Sequence, residues 1–130
     1  MGTFIARFFV TLLLFLATDA VWLGVAAKNM YSKTIGHLMS DKPNLYVALL
    51  FYIFYVIGII VFALNPALKN KSPALAVELG ALLGFIAYST YDLTNLATLK
   101  NWPVQVTVID IVWGTVLTAA VTLFSYLILR

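Results

Sequence analysis

The chain has 130 residues, 63% of them apolar, 15% aromatic and only 10% charged, and its mean hydropathy is +1.01. Soluble domains carry about 25% charged residues, so this balance excludes a soluble globular or disordered chain. The absence of cysteine excludes disulfides, thiolate metal sites, iron–sulfur clusters and cysteine nucleophiles. The net charge is +3, yet the eight basic residues are scattered along the chain with no basic stripe. Nucleic acid is therefore not an expected partner, and the lipid bilayer is.

A hydrocarbon core about 30 Å thick takes about 20 apolar residues per helix, and four stretches supply them. The first covers residues 4–27. It is too long for a cleavable leader, and Asp19 and Trp22 sit where such a segment would end, so it is expected to be a retained helix. A loop, 28–44, leads to the second span, 45–64, which holds Tyr46, Tyr52 and Tyr55 but no charge. That span is expected to face lipid or pack. The third and fourth spans cover 74–98 and 104–129. Pro43, Pro66, Pro73 and Pro103 all fall in the gaps, where proline ends a helix or opens its first turn. Tyr31, Tyr46 and Trp102 lie near span ends, as interfacial aromatics do. The expected fold is all-α, an integral membrane protein with a four-transmembrane-helix bundle, one domain over residues 1–130. Only about five residues join the third and fourth spans, which makes them antiparallel neighbours.

An even number of spans puts both termini on one side, the near side, and the loops 28–44 and 100–103 on the far side. Arg7, Lys69, Lys71 and Arg130 are near, and Lys28, Lys33, Lys42 and Lys100 are far. This tie leaves the positive-inside rule undecided. The short, dense loop with Lys69 and Lys71 favours cytoplasmic termini, and the tie also fits dual insertion.

Of the five acidic residues, Asp19, Glu78, Asp92 and Asp110 fall inside expected spans and only Asp41 in a loop. Each costs about 2.5–3.5 kcal/mol on insertion scales, on the order of 10 kcal/mol together, so they should face the bundle interior. At 1.5 Å per residue, Asp19, Asp92 and Asp110 lie about 9–12 Å from the far ends of three different helices. Glu78 lies about 6 Å from the near end, where Lys69 or Lys71 could pair with it. On the third helix Tyr88, Tyr91, Asp92 and Asn95 share one face. Gly80 and Gly84 continue that face as a GxxxG for close helix packing. Asp19-Ala-Val-Trp22 and Asp110-Ile-Val-Trp113 repeat D-x-V-W at one depth in opposite directions. Third- and fourth-span adjacency brings Asp92 and Asp110 close. These residues outline a far-side pocket whose candidate ligand-binding residues are Asp19, Trp22, Tyr88, Tyr91, Asp92, Asn95, Asp110 and Trp113. Interhelical hydrogen-bond glue, at roughly 0.6 kcal/mol per bond, is too weak to offset such acids, although packing remains the competing account. The lone His37 is expected to be solvated.

At Asp19-Ala-Val-Trp-Leu-Gly24, Tyr88-Ser-Thr-Tyr-Asp-Leu-Thr-Asn-Leu-Ala-Thr98 and Asp110-Ile-Val-Trp-Gly114, the chain resembles a family of small bacterial membrane proteins termed domain of unknown function 2177. The resemblance spans nearly the whole chain. It implies a bacterial inner-membrane protein with four helices and a link to lipid metabolism, without an activity.

Three functional readings follow. The first is binding or transport of a small or lipid-like ligand, with proton coupling open to it. Carboxylates crowded at one depth cannot all ionise cheaply and would trade protons for a cation, and aromatic faces hold organic cations. The second is an enzyme or accessory subunit in membrane-lipid metabolism, with an aspartate as acid or base. The third is a structural partner of another membrane protein. No cofactor motif is present and no metal site is assigned, although the carboxylates and Asn95 offer oxygen donors suited to a hard divalent cation. Homo-oligomerisation stays open.

Overall fold

A computed structural model describes residues 2–130, with the side chain of Ala26 excepted. Helix α1, Gly2–Val21, continues through a π-helical turn, Trp22–Ala26, and then α2, Lys28–Ile35, begins after Ala27 alone. A single 3₁₀ turn, Gly36–Leu38, closes this segment. Helix α3, Leu45–Ile59, passes through a second π turn, Ile60–Leu64, into α4, Asn65–Lys69. Helices α5, Pro73–Thr98, and α6, Val104–Leu129, complete the chain. Four continuous helical paths are long and apolar enough to cross a membrane: Gly2–Val25, Leu45–Lys69, Pro73–Thr98 and Val104–Leu129.

The helix starts have local causes. Asn44 accepts from the amides of Tyr46 and Val47 at 3.1 and 3.2 Å, capping α3. Ser72 accepts from the Leu75 amide at 3.0 Å, and Pro73 opens the first turn of α5. Pro66 departs from the expected pattern, because it lies inside the second span rather than in a gap. In an uninterrupted α-helix its ring would collide with the carbonyl four residues back. The preceding π turn, closed by the Asn65 amide on the Ile60 carbonyl, widens the coil at that point. The loop 28–44 likewise differs from expectation by containing α2.

Lipid tails are as apolar as leucine, so helix association in a membrane rests on close packing and interhelical hydrogen bonds. Here α5 and α6 form the most intimate pair. A Cβ at Gly80 would sit 2.7 Å from the Thr122 hydroxyl and 2.9 Å from the Thr118 carbonyl. One at Gly84 would strike the Gly114 carbonyl oxygen, and one at Gly114 would fall on the Tyr88 ring. Thr118, Thr122 and Ser125 are buried along this seam. The GxxxG face thus packs as expected. The remaining core, Phe15, Val56, Ile59, Ile60, Leu64, Leu117 and Val121, joins the first two spans to α6. Phe9, Leu13, Phe54, Phe62, Phe85 and Phe124 point outward, as side chains bathed in hydrocarbon do.

Candidate functional site

The three intramembrane aspartates converge in the far half of the bundle, each in a different environment. Asp19, half-buried on α1, accepts a hydrogen bond from the Tyr52 hydroxyl at 3.1 Å. Asp110, half-buried on α6, accepts at 2.8 Å from the Tyr31 hydroxyl, which in turn accepts from the Trp22 indole N–H at 3.2 Å. Asp92, on α5, is fully buried, and neither of its carboxylate oxygens has a hydrogen-bond partner among the described residues. The Asp110 carboxyl is its interacting neighbour. The expected meeting of Asp92 and Asp110 across the third and fourth spans is therefore present.

Aromatic rings form the walls. The antiparallel D-x-V-W segments bring Trp22 and Trp113 into a parallel stack, with centroids 4.4 Å apart and planes 9° apart. The π turn that carries Trp22 adds a residue to the coil, and π turns commonly mark functional positions. Tyr88 is pinned against Gly114, with Tyr55 edge-on at 6.2 Å. Tyr91 meets Trp102 edge-on at 5.9 Å. Trp102, near a span end as expected, is buried, and its indole N–H has no partner among the described residues.

Two cavities flank Asp110. One, of about 340 Å³, is lined by Phe51, Tyr55, Ala87, Tyr88, Tyr91 and Asp110. The other, of about 250 Å³, has Tyr31, Ile35 and Met39 on one side and Tyr91, Trp102, Val106 and Asp110 on the other. Asp110 and Tyr91 line both. A third space, of about 420 Å³, opens beside the indole stack along Ala17, Thr18 and Val21.

The site holds acceptors and no countercharge: none of the three aspartates makes an ion pair among the described residues. Burial pushes the Tyr31 phenol above its ordinary value, and the neighbouring Asp110 carboxylate adds to that rise against the opposing Trp22 hydrogen bond. Tyr31 therefore stays a neutral donor to Asp110 at physiological pH. Three His, Cys, Asp or Glu side chains grouped to hold a metal ion do not occur among the described residues.

Of the residues singled out from sequence, Asp19, Trp22, Tyr88, Tyr91, Asp92, Asp110 and Trp113 gather here. Asn95, like Asp19 and Asp92, lines none of these cavities; it lies beside Tyr91, one turn further along α5. Glu78 is exposed and makes no ion pair with Lys69 or Lys71 among the described residues, because its side chain faces away from the bundle. His37 is exposed as expected. Sequence reasoning missed Tyr31, Tyr52 and Tyr55. The last two are three apart on an otherwise apolar helix, a spacing that puts both hydroxyls on one face. Tyr55 uses its hydroxyl on that of Thr118, at 2.8 Å.

No curated protein and no solved structure matches the chain. A family model, described as a predicted membrane protein, matches residues 4–127. With four spanning helices and nearly the whole length matched, the chain belongs to the family of predicted membrane proteins designated DUF2177.

Proposed function

We propose that this protein binds a small amphipathic ligand whose head is cationic or rich in hydrogen-bond donors, and carries it within the bilayer, with protons as the exchangeable counterpart. The observation that carries this reading is Asp92. It is a fully buried carboxyl group with both oxygens unpartnered among the described residues, set against Asp110, which lines two aromatic-walled cavities. A buried carboxylate without a partner is expensive, and a cation or donor on a ligand would offset that cost at the moment of binding. Tyrosine and tryptophan faces suit an alkylated ammonium or an apolar tail. The expected setting is a bacterial inner membrane with both termini cytoplasmic, supported by the Lys69 and Lys71 loop.

The test uses detergent-purified protein and the fluorescence of the Trp22–Trp113 stack as reporter. Quaternary ammonium ions of increasing alkyl length and a zwitterionic phospholipid serve as probes. A saturable change that is lost in Asp92→Asn and Asp110→Asn but kept in Glu78→Gln supports the reading. Responses identical in all four proteins would refute it.

A further inference from the structure

At the opposite end of the bundle lies a cavity of about 460 Å³ lined by Arg7, Leu68, Lys71, Tyr126, Leu129 and Arg130. Three of its six lining residues are cations and none is an acid. Arg7 is half-buried, five residues into the first span and about 8 Å along its axis. Its Nη1 donates to the Asn65 side-chain oxygen at 2.7 Å, a neutral partner that leaves the guanidinium charge uncompensated. Glu78, the one acid near this end, is exposed and pairs with neither Arg7 nor Lys71 among the described residues. An intramembrane guanidinium normally finds an anion or a water-filled space.

Lys71 adds an independent sign. It ends α4 in the left-handed region, with φ 50°. The Ser72 amide reaches the Ala67 carbonyl at 3.1 Å, and the Lys71 amide reaches that of Leu68 at 3.3 Å. This is the Schellman helix end, whose left-handed position is usually glycine. A lysine there accepts backbone strain, a device found where a side chain is needed for a task. The Leu68, Tyr126 and Leu129 walls are apolar, as a free aqueous anion does not require and a lipid's glycerol and first methylenes do.

We propose that this cavity binds the phosphate headgroup of an anionic phospholipid from the near leaflet, with Arg7 and Lys71 as the principal contacts. The site is separate from the aspartate pocket and stands without it. The test is thermal unfolding in mixed micelles titrated with phosphatidylglycerol, with phosphatidylcholine, or with millimolar inorganic phosphate, on the wild type, Arg7→Gln and Lys71→Gly. Phosphatidylglycerol should bind more tightly than phosphatidylcholine, and inorganic phosphate should leave the unfolding temperature unchanged. Each substitution should cut the preference about fivefold, as loss of one membrane-facing charge does. Lys71→Gly relieves the strained turn, so it should unfold at a higher temperature in phosphatidylcholine while losing the preference. An undiminished preference in Lys71→Gly would overturn the proposal. A full shift from inorganic phosphate alone would overturn it too, by assigning a free anion.

Discussion

Replacing Asp92 by asparagine should stabilise the protein. The wild-type side chain is fully buried and both carboxyl oxygens lack a donor among the described residues. A buried polar group left unsatisfied costs about 1–3 kcal/mol, more when charged. Asparagine keeps the shape and places an amide N–H beside the Asp110 carboxyl, its interacting neighbour. A new hydrogen bond contributes about 0.5–1.5 kcal/mol net, and satisfying the buried group removes a cost of about 1–3 kcal/mol. A gain of about 2 kcal/mol is therefore expected, roughly a 30-fold rise in the folded-to-unfolded ratio. Equilibrium unfolding in mixed micelles of dodecyl sulfate and a mild detergent, followed by far-ultraviolet circular dichroism, measures it. Asp19→Asn is the control, because Asp19 already accepts from Tyr52, and it should change stability by less than about 1 kcal/mol. If Asp92→Asn instead lost 1 kcal/mol or more, Asp92 would be a satisfied structural group and the argument from its isolation would fail.

Gly84→Ala should cost about 1–3 kcal/mol as an overpacking change, since its new methyl meets the Gly114 backbone. Gly58→Ala, where a Cβ has open space, should be neutral or better, and equal costs in the same unfolding assay would refute the seam. Tyr31→Phe removes the link from α2 to Asp110 and should speed amide exchange over Lys28–Ile35 several-fold by mass spectrometry, leaving α6 unchanged. Because the folded Tyr31 phenol is held above its ordinary value, its contribution is complete below about pH 10 and is lost as pH rises beyond that. The wild type should then lose more stability than Tyr31→Phe between pH 9.5 and 11.5. A double-mutant cycle on Trp22→Ala and Trp113→Ala should give a coupling of about 0.5–1.5 kcal/mol, and additive losses would deny the stack any energetic role.

The four spans were legible because hydropathy is a sum over many residues, and the pairing of α5 with α6 because the connection between them is short. The aspartates were legible because each stands alone against an apolar background. Their partners were not. Tyr52 and Tyr55 carry no charge and read as lipid-facing or packing aromatics, although their hydroxyls reach Asp19 and Thr118. Tyr31 sits in a segment that read as loop, and only the one-residue break at Ala27 turns α2 so that it meets Asp110. Pro66 misled in the other direction, because nothing in its neighbours' side chains announces the π turn that accommodates it. The face shared by Tyr88, Tyr91, Asp92 and Asn95 holds as helical geometry, but Asn95 and Asp92 line none of the cavities.

The larger cavity beside Asp110 has a wall, Phe51 and Tyr91, that is about half exposed on the lipid-facing surface of the bundle. A ligand held there exchanges with the hydrocarbon rather than with bulk water. Its occupancy follows the mole fraction dissolved in the membrane, so two ligands of equal intrinsic affinity would rank by their partition coefficients. Diluting the protein in extra detergent or lipid at fixed total ligand would then weaken apparent binding without any change in the pocket.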